Sequence, residues 1–419
     1  MSIAEGLGPD DALATLFFTP EGIANPAPLY ERLRTTAPIH RSATSAVFLT
    51  RFEDCDRLLR DNRFGKAQDR RRGGLIPESD PAAAAFRQAQ LEKMREERRP
   101  TSMLFLDPPH HTRQRRLVSR AFTPKRVEAL RASIRVLADR VVDDLVAAGG
   151  GNLLEAVAFP LPVAVIGTLV GVPESDWASF RSLITAATAG IEPGASLAEL
   201  QRAEAASEET VAYFQGLVDA RRKTPRDDLL SELIGVEEAG DTLSEGEVIA
   251  VAILLFAAGF ETTTNLIGNG MGALLTHPDQ ADQIWRDPGL IPSAVDEMLR
   301  WDSPVQVDVR TALGPAELGE LTLERGQAVV ALLGAANRDP ERFTDPDRFD
   351  IHRAEGAPLS FASGIHHCLG ANLARAEGQE VFRSLVDRCR SIRSDGDLVR
   401  RPRMTLRGYQ AVPVTVTSR

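Results

Sequence analysis

The run Leu359-Ser360-Phe361-Ala362-Ser363-Gly364-Ile365-His366-His367-Cys368-Leu369-Gly370 holds the residues of this 419-residue chain whose types and spacing point most directly to chemistry. A cysteine framed by glycines, with an apolar stretch before it and a helical pattern after it, suits one soft ligand presented to a metal. Gly364 can take backbone angles closed to other residues, and Gly370 lets the following helix approach a flat ligand closely. That helix reads from Leu369 to about Arg388, so Cys368 stands at its N-terminal end, where free N–H groups and the helix dipole favour a thiolate. His366 and His367 raise the alternative of zinc. Zinc takes about four ligands, and no further cysteine or histidine lies at the short spacings of structural sites. A plainly buried cysteine is the bland alternative.

Three further runs carry reactive or charged groups. Ala257-Ala258-Gly259-Phe260-Glu261-Thr262-Thr263-Thr264 lies inside an apolar helical pattern from Asp241 to Thr276. Burying Glu261 and the hydroxyls there is costly unless they are used, or are satisfied by water and preceding carbonyls. In Asp107-Pro108-Pro109-His110-His111-Thr112-Arg113-Gln114-Arg115, Asp107 can cap a helix whose first-turn prolines lose no bond, and His111 and Arg115 share a face. That is a basic surface helix or a carboxylate site. Glu297-Met298-Leu299-Arg300 places opposite charges on one helical face, a pattern common on any protein surface.

The elements that must position these groups are mostly helical. From about Pro124 the pattern is helical, broken at Gly149-Gly150-Gly151, Pro173, Gly190 to Pro193 and Thr224-Pro225. Strand-like pieces at Ala46 to Leu49, Ala328 to Leu332 and Val412 to Val416 are isolated between helices, which argues against a doubly wound fold and for a mainly α body with small β-sheets. Lys66 to Ala82 and Ala187 to Ser196 read as flexible surface. Ala82 to Arg99 reads as a helix, either a solvated one or a lid. One domain is expected over residues 1–419, with residues 1–24 peripheral. A net charge of −10 argues against a nucleic-acid binder, and three scattered cysteines argue against a disulfide framework. Neither a secretory signal nor a membrane anchor is read, because the apolar stretch Val248 to Phe260 is too short to span a bilayer.

Together these runs resemble the cytochrome P450 family, from about Asn25 to Val416. Phe361, Gly364, His366, Cys368 and Gly370 match its haem-binding loop, with Ala362 standing where the family usually has glycine. The resemblance implies that fold, with haem b held between a long distal helix and a proximal cysteine-loop helix. Cys368 would be the axial thiolate, screened from water by Phe361, and dioxygen the co-substrate. His111, Arg115, Arg310 and His366 would meet the haem carboxylates, Arg310 through its two-pronged fork. Ala258, Gly259, Glu261 and Thr262 match the oxygen-activation motif, where the helix is expected to open locally, Thr262 to hold water and Glu261 to feed protons. Glu297 and Arg300 match a buried structural pair, with Arg348 chosen as its third partner.

The resemblance also proposes a substrate pocket of Ile253, Leu254, Ala257, Phe260, Val305, Gln306, Val307 and Leu406, which implies a lipophilic organic substrate to be hydroxylated or epoxidised. It implies a cytoplasmic bacterial monomer of secondary metabolism, such as antibiotic biosynthesis. Electrons would come from NAD(P)H through a ferredoxin reductase and a ferredoxin, docking near Arg113, Arg116 and Arg375. Oxidative coupling, rearrangement or peroxide-driven oxidation on the same fold is the alternative, and a haem sensor or electron carrier the alternative of another class.

Overall fold

The computed structural model describes residues 3–66, 75, 80–97, 100–238 and 240–419, and it is mainly helical with small sheets. Its axis is the helix Glu245–Thr276, whose start is fixed by a capping box: the Ser244 hydroxyl accepts from the Glu247 N–H, and the Glu247 carboxylate accepts from the Ser244 N–H. The predicted start at Asp241 is therefore too early. Asp241–Thr242 is instead a short strand paired antiparallel with Glu237–Glu238. By length and composition this is a helix that could cross a membrane, longer than the apolar stretch suggested, but most of its length is buried among other helices.

Small residues let its neighbours approach. A Cβ at Gly270 would lie 2.6 Å from the Met298 sulfur and 2.9 Å from the Phe382 ring, so helices Ile291–Trp301 and Ala371–Arg388 both close on this point. One turn earlier, Leu266 lies where it would meet a Cβ at Gly378 at 3.3 Å. The remaining core is apolar, with an aromatic cluster of Phe180, Tyr213, Phe214, Phe256 and Phe260 on one side of the long helix.

The largest sheet has five strands in the order Ile39–Arg41, Val47–Leu49, Ala328–Leu332, Val307–Ala312, Phe64–Gly65. All its pairings are antiparallel except the parallel one between Val47–Leu49 and Ala328–Leu332. The helix Pro9–Phe18 buries Ala12, Leu13, Leu16 and Phe17 in one core cluster with Phe48, Val330 and Leu332. The N-terminal segment is thus part of the sheet's core, not peripheral, because its apolar face covers one side of those strands. Ala82 to Arg99 is helical over Pro81–Glu97, with residues 98–99 outside the described residues, as are residues 67–74 and 76–79 of the stretch expected to be flexible surface.

Glu297 and Arg300, each 2% exposed, anchor the approach to the cysteine loop. Arg300 Nε and Nη2 donate to the two Glu297 oxygens at 2.7 and 2.8 Å, and Nη1 donates to the carbonyls of Asn337 and Pro346, both at 2.8 Å. The third charged partner is Arg353, whose Nε lies 3.3 Å from Glu297, and not Arg348. Phe349 is buried, so its neighbour Arg348 turns its side chain to solvent and offers Arg300 only its carbonyl, at 3.2 Å. Glu297→Gln is expected to lower unfolding free energy by about 3–5 kcal/mol, because it leaves the buried Arg300 guanidinium without its carboxylate. Arg348→Ala is expected to stay within about 0.5 kcal/mol of the parent. Denaturant titration of both variants separates the two assignments.

Candidate functional site

The cysteine loop is built on unusual backbone. Gly364 has φ +70°, and a Cβ there would fall 2.3 Å from the Leu59 carbonyl oxygen, so only glycine fits. Ala362 takes φ 55°, ψ −163°, a conformation that costs a non-glycine residue about 1–3 kcal/mol. The family's usual glycine would avoid that strain. The Cys368 N–H donates to the Phe361 carbonyl at 2.9 Å, and the Phe361 ring stacks under the Arg375 guanidinium at 4.6 Å. Cys368 is accessible to solvent although chain surrounds it, as for a residue lining an opening. That surrounding raises its thiol pKa, against the pull of the Gly370 N–H, Arg115 and Arg375.

The opening lies between two helices. They touch at Leu266 with Gly378 and at Gly270 with Phe382. Ala258, on the stretch of the long helix before these contacts, is exposed, and a Cβ at Gly370, just before the second helix, would meet no atom within 4 Å. Ile253, Leu254, Ala257 and Thr262 are partly exposed on the same stretch. Thr262 Oγ1 donates to the Ala258 carbonyl at 2.8 Å, and the helix is unbroken there. The expected local opening is absent because Gly259 serves packing: a Cβ would lie 2.8 Å from Ile166 of the helix Pro160–Val170.

Glu261 is 3% exposed and paired through Oε1 with Arg401 at 3.2 Å and Arg403 at 3.4 Å, while Oε2 has no partner. Burial pushes its carboxyl above the ordinary range, although Arg401, a bond with Thr188 and Arg403 oppose this. These two arginines were missed in the sequence. The basic run Arg400-Arg401-Pro402-Arg403 in an acidic chain was the available signal.

A second cluster gathers unpaired donors. His111 is buried with both ring nitrogens unpartnered, and its ring centroid is 4.2 Å from that of His366, whose Nε2 is also unpartnered. Arg310, on the strand Val307–Ala312, lies 2.9 Å from Asp308 through Nε and leaves Nη2 unbonded. Lys66, also unforeseen, holds the other side of Asp308 at 2.9 Å. Burial first, then nearby guanidiniums, pushes the His111 imidazole down to about 4 and the His366 imidazole lower still. Such orphaned donors fit the two carboxylates of a haem. Arg115 is only partly buried and donates to the His367 carbonyl at 2.6 Å. Asp107 does not cap the helix His110–Ser119 with its side chain, which accepts instead from the Lys66 N–H at 2.6 Å.

Two expected pocket residues point elsewhere. Phe260 packs edge-on against Phe159 and Phe256, on the face of the long helix away from Ala258. Gln306 turns into the core, where its side chain accepts from the Tyr30 hydroxyl at 2.7 Å and donates to the Ser303 carbonyl at 2.7 Å. Val305 and Leu406 do meet, through an isolated antiparallel bridge, and Val307 is partly exposed beside them. The three cations expected to dock a partner are already engaged: Arg113 with Glu247, Arg116 with Asp241, Arg375 with Asp296.

A family model described as cytochrome P450 matches residues 194–287 and 289–405. The chain is 39% identical over 402 residues to the cytochrome P450 monooxygenase PikC of Streptomyces venezuelae, covering 93% of this chain and 91% of the relative. It is 34% identical over 420 residues to the polyketide biosynthesis cytochrome P450 PksS of Bacillus subtilis (strain 168), covering 96% and 99%. The crystal structure of the myxobacterial cytochrome P450 CYP267B1 with myristic acid superposes with a TM-score of 0.85 at 38% identity, covering 96% of this chain and 99% of that one.

Ala362→Gly is expected to raise stability by about 1 kcal/mol, relief of strain outweighing the greater freedom of glycine in the unfolded chain. The midpoint of denaturant unfolding measures it.

Proposed function

This chain belongs to the cytochrome P450 family, and on that premise we propose that it hydroxylates or epoxidises a lipophilic organic substrate in secondary metabolism. It is an oxidoreductase whose general chemistry is haem-thiolate monooxygenation. Bound haem b supplies electron transfer to dioxygen and cleavage of its oxygen–oxygen bond, with electron density from a cysteine thiolate. Cys368 would hold it from below, and His111, Arg310 and His366 would take its carboxylates.

The observation that carries the proposal is the pairing of a buried carboxyl with an adjacent hydroxyl on the long helix. Glu261, its affinity for protons raised by burial, can hold a proton where a solvated glutamate would not. Arg401 and Arg403 keep it oriented, and its free Oε2 can pass that proton on. Thr262, partly exposed one residue on, can hold a water beside the cleft. Ile253, Leu254, Ala257, Val305 and Leu406 present apolar surface to a substrate, and the myristic acid bound by the myxobacterial relative supports that class. The polyketide role in the name of the Bacillus relative supports secondary metabolism.

Electrons would come from a ferredoxin and its NAD(P)H-dependent reductase, acting on a cytoplasmic monomer. Exposed Ile365 and His367, close in the chain to Cys368, mark the face where they would enter.

The reduced protein with carbon monoxide should show the absorption of a thiolate-bound haem, and Cys368→Ser should abolish it. With a substrate chosen from lipophilic compounds by its shift of the haem spectrum, Thr262→Ala should lower product formed per reductant consumed at least about tenfold. An unchanged ratio would remove Thr262 from oxygen activation.

A further inference from the structure

Lys66, expected to open a stretch of flexible surface, is instead largely buried, its side chain 13% exposed. The short strand Phe64–Gly65 carries it there. Phe64 lies opposite Ala312 and Gly65 opposite Thr311, so Lys66 follows in line with Arg310. Gly65 is required by what packs on it: a Cβ would fall 2.4 Å from Asp107 Oδ1, the oxygen that accepts from the Lys66 N–H. On the strand Val307–Ala312, alternation puts Asp308 and Arg310 on one face. Ala331 and Val329, opposite them on the other neighbouring strand, have no polar side chain to offer. Lys66 reaches Asp308 from the opposite edge.

The two cations on Asp308 are held differently. Lys66 Nζ donates to Oδ2 at 2.9 Å. Arg310 Nε stands 2.9 Å from Oδ1 but out of line: neither atom has a hydrogen-bond partner among the described residues, and Arg310 Nη2 has none either. Burying a guanidinium to 1% exposure with two donors idle is costly unless a further acceptor meets them. Asp308 is close enough to be that acceptor. Turning its carboxylate would present both oxygens to Nε and Nη2, a two-bond geometry that arginine favours. The bond from Lys66 holds Oδ2 on the far side and opposes that turn.

We propose that Lys66 is a positioning residue for the haem, which by holding Asp308 keeps the fork of Arg310 open for a haem carboxylate. The proposal rests on the reading of this cluster as a haem-carboxylate site. Without Lys66, Asp308 closes on Arg310, and an incoming carboxylate meets a cation already satisfied. Neutralising Asp308 as well removes the competitor and frees Arg310 again. A lysine with only a structural role gives the opposite result, since each further loss in a buried cluster adds damage.

The test uses the haem-loaded full chain and two measurements: the rate of haem transfer to excess apomyoglobin, and the haem reduction potential from a spectroscopic titration. Lys66→Met should speed transfer about tenfold, the scale of one charge-assisted bond. It should also make the potential more negative, because the site loses a positive charge. Adding Asp308→Asn to Lys66→Met should return the rate to within about threefold of the parent and reverse most of the potential shift. If Lys66→Met cannot be isolated with haem, Lys66→Gln, alone and with Asp308→Asn, takes its place. An unchanged transfer rate in the single variant overturns the proposal, and so does a double variant that loses haem as fast as the single one or faster. A parent protein lacking the thiolate–carbon monoxide absorption overturns the haem-thiolate reading instead.

Discussion

Among the described residues, four buried carboxylates are each held between two cations: Glu297 by Arg300 and Arg353, Glu261 by Arg401 and Arg403, Asp302 by Arg400 and Arg407, Asp308 by Lys66 and Arg310. Removing a charge from water is expensive, and one counter-ion seldom satisfies both oxygens of a carboxylate, so doubled cations are a direct answer. The answer leaves each cluster with a surplus of positive charge. At Glu297 the excess is met by Glu355, 2.6 Å from Arg353, and by the carbonyls of Asn337, Pro346 and Arg348. At Asp302 it is absorbed by those of Ile23 and Ala24. At Asp308 no such carbonyls are found among the described residues: Arg310 Nη2, both ring nitrogens of His111 and Nε2 of His366 are left without partners. That is the cluster where two further carboxylates fit.

The contrast explains why the two acidic groups nearest the chemistry behave differently. Asp308 has its pKa lowered, since the attraction of Lys66 and Arg310 outweighs its desolvation, and it serves as a fixed charge. Glu261 has its pKa raised, because its burial outweighs the pull of two cations that stand at 3.2 and 3.4 Å on one oxygen only. In the proposed role, where Glu261 passes protons, the looser pairing leaves the carboxyl free to take and give one.

Much of the site was legible because its chemistry lies in contiguous runs. Cys368 with its glycines, Glu261 with Thr262, and Glu297 with Arg300 are local patterns that spacing alone brings out. Arg353, Arg401, Arg403 and Lys66 were not legible, because the groups they meet lie tens to hundreds of residues away and no spacing rule links them. Phe260 and Gln306 are different, since elementary periodicity argued against both. Two residues along a helix turn a side chain by roughly 200°, so Phe260 faces away from Ala258. Alternation in an extended segment likewise sends Gln306 opposite to Val305 and Val307. Gly259 shows the converse: a glycine suited to opening a helix is used here to admit Ile166.

The cleft itself begins where two helices stop touching. Gly270 and Gly378 are the close contacts, and Ala258 and Gly370 lie three turns and two turns further along their respective helices. A side-chain atom added at Gly270 would have to displace Met298 or Phe382, so the smallest residues of the core set how closely these helices approach one another, at a distance in the chain from Cys368.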